Sequence, residues 1–260
     1  MRTIDKVLQL LENNKEKYIS GEDMAKTHGI SRNAIWKAIK ELRSKGYLID
    51  AVSNRGYRLL KSSDIISGSG VISHLDPSLH SLCEKIYVYD STGSTNDMAK
   101  EFAMKGANHG TVVIASSQSG GRGRKDHTFF SPEGGLYMSI ILRPESLHFT
   151  ESKRITSMVG TAVCDAIKEL TGKTPEIKGI NDLYLDGKKI CGILIEAGSE
   201  FDSGVLQWIV AGIGINFESD INDFPPEIKE KAASLFAPGK AGCTRNALAG
   251  KIISNILIAS

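Results

Sequence analysis

Residues 181–196 read NDLYLDGKKICGILIE. Two apolar runs flank Asp186-Gly187, a dipeptide favoured in two-residue hairpin turns because both central positions need positive φ. A hairpin there makes the flanking strands antiparallel, so the sheet they join is at least partly antiparallel. Apolar runs of strand length recur at 85–90 (KIYVYD), 111–116 (TVVIAS), 136–142 (LYMSIIL) and 205–217 (VLQWIVAGIGINF). Between them, Ile155, Met158, Val159, Ala162, Val163, Ala166, Ile167 and Leu170 recur with the 3.6-residue period of a helix buried on one side. Strands of mixed direction interleaved with helices define the fold class as α+β.

The first sixty residues carry a different pattern. Ile4, Val7, Leu8 and Leu11 lie on one stripe of a helix. Ser20, with Asp23 three residues on, starts a second short helix that His28-Gly29 ends. Ser31 caps a third, SRNAIWKAIKELRSKG, whose buried stripe is Ile35, Ala38, Ile39 and Leu42. Its other face presents Asn33, Trp36, Lys37 and Lys40. Two short strands then flank Ser53-Asn54-Arg55-Gly56, a hairpin with Arg55 at its tip. Helix, tight turn, basic helix and basic hairpin are the plan of a winged helix-turn-helix.

Charge supports that division. The 260 residues carry a net charge of only +2, but residues 1–62 hold 13 Lys+Arg against 7 Asp+Glu. Residues 31–61 hold eight basic and two acidic side chains. A basic face of that kind suits DNA, and Ser31, Arg32, Asn33, Trp36, Lys37, Lys40, Arg43 and Arg55 are the candidates for phosphate and groove contacts. The alternative is a small protein-interaction domain with a solvated basic face. Residues 63–70 (SDIISGSG) have linker composition, giving domains at 1–62 and 71–260.

Composition also excludes. No apolar run approaches the ~20 residues of a membrane span. The N-terminus lacks a signal peptide's apolar core, which points to the cytoplasm. The four cysteines show no C-x-x-C spacing, and the six histidines no H-x-H or H-E-x-x-H spacing. A disulfide framework or transition-metal site is therefore not expected.

Four segments of the larger domain have chemical character. STGSTND (91–97) clusters Thr92, Ser94 and Thr95 before a helix starting near Asn96, which suits either plain capping or a polar ligand. SGGRGR (119–124) is flexible and doubly cationic, and an anion would order it. Lys189 begins the returning strand of the hairpin; alternation sets it in a row with Cys191, Ile193 and Ile195, either snorkelling or turned to an anion. In WIVAGIGINF, Gly212 and Gly214 share a face with Trp208, Val210 and Asn216, a floor on which a flat ligand fits closely.

Together these segments resemble bifunctional biotin protein ligases that also repress the biotin operon. The resemblance runs from about residue 4 to 258. It rests on SRNAIWKAI with NRGYRL, then STN at 94–96, QSGGRGR at 118–124, SPEGGLYMS at 131–139, NDLYLDGKKICGILIE and GIGIN at 212–216. It implies a mixed-sheet catalytic domain of the biotin/lipoate ligase type, similar to class II synthetases. The implied reaction joins biotin and MgATP to biotinyl-5′-AMP and pyrophosphate, then passes biotin to a lysine of the biotin carboxyl carrier protein of acetyl-CoA carboxylase. By the same resemblance Ser94, Thr95, Asn96 and Gln118 hold the biotin head. Arg122, Gly123 and Arg124 close over the adenylate, Lys189 meets the carboxylate and phosphate charge, Gly212 and Gly214 line the site, and Asp182 is a candidate for Mg²⁺. The adenylate would then act as corepressor, driving a homodimer onto operator DNA.

Three departures from the family pattern stand out. Asp126 and His127 replace a Gly-Arg pair after GRGR. Gly179 and Ile180 replace the Trp-Pro of K-W-P-N-D. A small C-terminal β-barrel of the family is not expected in this chain, so the last helix would leave Ile256 to Ile258 partly exposed. Two other readings stay open: a non-enzymatic biotin or adenylate sensor with the same winged helix, and a lipoate or octanoyl transferase.

Overall fold

The computed structural model describes residues 2–83, 85–125, 127–200 and 202–260. The chain divides into two compact units: Met1–His74 with Thr244–Ala247, and Leu75–Cys243 with Leu248–Ser260.

In the first unit α1 (Thr3–Asn13), α2 (Gly21–His28) and α3 (Arg32–Ser44) are followed by strands β1 (Ile49–Val52) and β2 (Gly56–Leu59). The expected caps form. Ser20 accepts from the Asp23 amide, Ser31 accepts from the Ala34 amide, and Gly29 ends α2 at φ 63°. The two apolar stripes meet in one core built on Val7, Leu11, Met24, Ile35, Leu42 and Leu59. β1 and β2 pair antiparallel, Val52 opposite Gly56. Ile19 adds a third edge by exchanging two backbone bonds with Tyr57. Position 56 must be glycine, because its φ is 101° and a Cβ would lie 2.0 Å from the Ile19 carbonyl oxygen.

The 63–70 stretch, with its linker composition, is structured. Ser67 caps a short helix, α4 (Gly68–Ile72). The Arg245 guanidinium donates to the Asp64 carboxylate at 2.9 Å and to its carbonyl at 2.7 Å, while Asn246 accepts from the Ser67 amide at 3.0 Å. Composition signals flexibility only when nothing distant supplies partners.

The second unit is built on a seven-stranded sheet, in chain order β3 (Ile86–Tyr89), β4 (Val112–Ala115), β5 (Leu136–Leu142), β6 (Glu176–Lys178), β7 (Asp182–Leu185), β8 (Lys188–Ser199) and β9 (Leu206–Ile215). Their spatial order is β3-β4-β5-β9-β8-β7-β6, and only the β3–β4 pair is parallel. The mixed sheet of the α+β expectation is thus present. Helix α5 (Thr95–Met104) lies on one face, where Ala99 and Ala103 meet Val113, Ile141 and Val210. Helix α6 (Ser152–Thr171) lies on the other, with Gly160 against Ile177 and Ile193. A one-turn helix, α7 (Pro226–Lys229), precedes α8 (Arg245–Ala259), whose Asn255 amide donates to the Ala162 carbonyl of α6. The expected exposure of 256–258 is found at one position only. Ile258 is 63% exposed, whereas Ile256 is fully buried and Leu257 is buried at 7%, its side chain lying near Gly110 ahead of β4. Among the described residues, no helix is long and apolar enough to cross a membrane.

One strained group sits in the first unit. Glu12 is 4% exposed; Lys15 reaches its Oε2 at 3.4 Å, but Oε1 is buried without a partner. Burial pushes its carboxyl above the ordinary value, outweighing the attraction of Lys15. A raised folded-state pKa means that the native state holds the proton longer than the unfolded chain. Stability is therefore highest below the unfolded value and falls as pH rises through the shifted one. Glu12→Gln should raise the melting temperature at pH 7.5, with the gain shrinking as pH falls toward 4.5; a gain independent of pH in thermal melts would contradict this.

Candidate active site

Gly212 opens space at the centre of the sheet. It pairs with Ser139 on β5 and Leu194 on β8. A Cβ on residue 212 would lie 2.0 Å from Asn96 Oδ1, so the first turn of α5 can descend onto the sheet only at a glycine. Asn96 is buried and bonded on several sides. Ser139 Oγ donates to its Oδ1 at 2.6 Å, and its Nδ2 donates to Glu196 Oε2 at 2.8 Å. Next to it, Thr95 donates through its amide at 2.8 Å and its hydroxyl at 3.1 Å to Gln118 Oε1. Gln118 Nε2 in turn donates to Ser131 at 2.9 Å. Ser94 caps α5, accepting from the Asp97 amide, so the capping role expected of this segment is present.

These residues wall a cavity of about 490 Å³, inside the ~300–1,000 Å³ range of small-molecule sites. Eleven of the residues expected at the ligand site line it, namely Ser94, Thr95, Asn96, Gln118, Arg122, Gly123, Arg124, Asp182, Lys189, Gly212 and Gly214, whereas the Thr92 hydroxyl turns to the Met98 sulfur. Asp126 lies outside the described residues; His127 lines the cavity mouth and receives the Gly123 amide on its carbonyl at 2.7 Å.

Lys189 reaches the cavity by a route that simple alternation misses. Tyr184 is opposite Lys189, but its neighbour Leu183 is opposite Cys191. Ile190 is therefore an extra residue, a β-bulge, and it reverses the facing of everything before it. Lys189 shares its face with Gly192, Asp182 and Tyr184, not with Cys191, Ile193 and Ile195. Its ammonium sits 2.8 Å from Asp182 Oδ1 and 5.8 Å from the Phe129 ring centroid. Cys191, on the other face, is fully buried, and burial drives its thiol pKa sharply upward, leaving it inert.

The glycine floor differs from its sequence reading. Missing Cβ atoms at 214 and 192 would meet Phe129 at 2.6 and 3.0 Å, as that at 212 meets Asn96. The glycines thus admit the protein's own Phe129 and Asn96, which line the cavity beside them. No periodicity marked Phe129; it lies ten residues beyond the start of the cationic loop.

The loop's cations are already engaged. Arg122 bonds Asp97 Oδ1 at 2.7 Å and approaches Glu196 at 3.8 Å, and Arg124 donates to Asn181 Oδ1 at 3.2 Å. Burial alone would raise the Asp97 carboxyl, but hydrogen bonds from Lys100 and Arg122 outweigh it and hold the group below its ordinary value. Among the described residues, no cluster of three His, Cys, Asp or Glu groups could hold a metal ion alone.

In the first unit, Trp36 is 52% exposed with Lys40 5.5 Å above its ring. Arg32, Asn33 and Trp36 line a groove of about 600 Å³ against the β1–β2 hairpin. Arg55 stacks 4.4 Å over Tyr18. Ser31 and Lys37 are exposed on the same helix, and Arg43, also exposed, donates through its guanidinium to the Ile49 carbonyl at the start of the hairpin.

A model of the biotin/lipoate A/B protein ligase family matches residues 88–216, and a helix-turn-helix domain model matches residues 3–58. The chain is 37% identical over 230 residues to the bifunctional ligase/repressor BirA of Bacillus subtilis, covering 88% of this chain and 69% of that protein. It is 29% identical over 258 residues to BirA of Escherichia coli, covering 96% and 74%. A solved biotin protein ligase from Aquifex aeolicus in complex with biotin and ATP superposes with a TM-score of 0.57 at 30% identity, covering 66% of this chain and 68% of that one.

Gly212→Ala should cost about 2 kcal/mol of stability, the scale of leaving buried amide and hydroxyl partners unpaired as Asn96 is forced aside. Denaturant unfolding checks this; an unchanged free energy would show that Asn96 can move without penalty.

Proposed function

The chain belongs to the biotin/lipoate A/B protein ligase family, and on that premise we propose that it activates biotin with ATP and represses transcription through its N-terminal helix-turn-helix unit. One observation carries the reading: a polar wall (the buried Thr95 and Asn96 with half-buried Gln118) and three cations (Arg122, Arg124, Lys189) converge on a single cavity.

In the first step a biotin carboxylate oxygen attacks the α-phosphorus of ATP. The bond from that phosphorus to the bridging oxygen breaks, and pyrophosphate leaves with its electron pair. The Thr95, Asn96 and Gln118 side chains give the biotin head fixed donors and acceptors. Lys189, carried into the cavity by the Ile190 bulge, faces the meeting point of carboxylate and phosphate. Its charge neutralises the repulsion between two anions and stabilises the negative charge that develops at phosphorus. Arg122 and Arg124 add charge-assisted bonds from the loop, and the closed loop keeps water from the mixed anhydride. Asp182 would supply one protein oxygen to a magnesium ion carried by the nucleotide, which would screen the phosphate charge. Asp182 also holds Lys189 at 2.8 Å, so the incoming anion finds a lysine already oriented.

In the second step a lysine amine of an acceptor, biotin carboxyl carrier protein, attacks the acyl carbon, loses a proton and expels AMP. The adenylate-loaded protein would pair with a second copy to place two recognition helices on an operator. Cys83, Cys164 and Cys191 are free thiols, in keeping with a cytoplasmic setting.

Mixing the protein with biotin and MgATP should release pyrophosphate, and Lys189→Ala should lower the single-turnover rate by ~10²-fold or more. A near-normal rate in the mutant removes Lys189 from the mechanism; no pyrophosphate from the wild type overturns the ligase reading. On the DNA side, Lys37→Ala and Lys40→Ala should each weaken operator binding and flatten its salt dependence by about one charge's worth. Unchanged salt slopes in fluorescence anisotropy would take α3 off the phosphate backbone.

A further inference from the structure

Two arginines of the β1–β2 hairpin lie over one tyrosine ring. Ile19 pairs with Tyr57, which sets Tyr18 opposite Arg58, and Arg58 in turn is opposite Asp50. Side chains alternate along a strand, so these three share the outer face of the hairpin while Ile49 and Leu59 turn to the core. The Tyr18 hydroxyl donates to Asp50 Oδ2, and Arg58 donates to the same oxygen at 3.1 Å. The Ala51 amide donates to Asp50 Oδ1 at 2.9 Å. Tyr18's bond above all, outweighing burial, holds the Asp50 carboxyl below its ordinary value. Over the ring of Tyr18, the Arg55 guanidinium lies 4.4 Å and that of Arg58 4.7 Å from the centroid.

The two cations are held in different ways. Arg58 is paired with Asp50 and neutralised there. Arg55, at the hairpin tip, has no ion pair among the described residues, and the ring is what faces it. An aromatic face attracts a guanidinium without occupying its N–H donors. A long side chain at an exposed tip otherwise samples many rotamers, and that freedom is lost on binding. We propose that Tyr18 is a positioning residue for DNA binding: its ring fixes the direction of the Arg55 guanidinium, so that a backbone phosphate meets an arginine already oriented, with its donors free and its charge uncancelled. The Tyr18 hydroxyl and Arg58 complete the device by occupying Asp50, a carboxylate that would otherwise compete with phosphate for Arg55. That DNA is the ligand rests on the repressor reading; the stack itself does not.

Nuclear magnetic resonance of the free protein tests the stack. Ring currents should move the Arg55 δ-methylene protons upfield in the wild type. Tyr18→Leu should abolish that shift, and Tyr18→Phe, which keeps the ring, should preserve it. Arg55 signals at their unstructured positions in the wild type would overturn the stack. Fluorescence anisotropy of the full chain on a short mixed-sequence DNA duplex, with biotin and MgATP present, tests the positioning. Arg55→Ala should weaken binding about tenfold and flatten the salt slope by about one contact. Tyr18→Leu should weaken binding about threefold and leave the salt slope unchanged, because the charge is still present but no longer aimed. Tyr18→Phe should recover most of the affinity. The double variant of Tyr18→Leu with Arg55→Ala should bind as Arg55→Ala alone does, as expected when one residue acts only through the other. Tyr18 is partly exposed, so these variants should keep the fold, and matching melting curves will verify that. A Tyr18→Leu affinity equal to the wild type, or single effects that multiply in the double variant, would overturn the positioning role. If the wild type binds no DNA even at low salt, the repressor reading and the positioning role fail together, and the ring-current shifts still decide the stack.

Discussion

Asn96 can occupy its place only because residue 212 has no side chain, and much of the second unit is arranged around that vacancy. A buried amide has to satisfy all its polar atoms, and here Ser139 and Glu196 do so from two different strands. The helix start, three central strands and the cavity wall are thereby locked into one geometry. Rigid support of this kind lets a small number of polar groups discriminate a ligand, since none can relax to suit a wrong one.

Around that fixed wall the cations are held by carboxylates and amides of the protein. Lys189 rests on Asp182, Arg122 on Asp97, and Arg124 on Asn181. Unpaired positive charges gathered in a half-buried cavity would repel one another and be costly to desolvate. Pairing them removes that cost and aims them, at the expense of an exchange of partners when phosphate arrives. Reaction chemistry that builds negative charge at phosphorus gains from this arrangement, because the dipoles and charges need little reorganisation.

Local signals in the sequence carried far. Helices α1 to α3 follow from stripes and caps, the hairpins from Asn54-Arg55 and Asp186-Gly187, and the site's composition from STN, GRGR and GIGIN. What stayed hidden depends on partners far along the chain. The bulge at Ile190 is visible only in pairing with β7, and it places Lys189 opposite to where alternation set it. Phe129 covers the glycines of strands more than sixty residues away. Arg245 and Asn246 organise a segment that reads as linker, about 180 residues earlier. Arg43 looks like one more basic surface residue until its bond to the Ile49 carbonyl is seen. Period and propensity describe a segment's own preferences; they hold no record of which distant group completes it.

The central claim is that this one cavity brings a biotin carboxylate and an ATP α-phosphorus together. Native mass spectrometry of the protein after incubation with biotin and MgATP tests it directly. The account predicts a complex heavier by one biotinyl-5′-adenylate per chain, absent when either substrate is omitted. Biotin and ATP bound side by side without conversion, or neither bound at all, would contradict it.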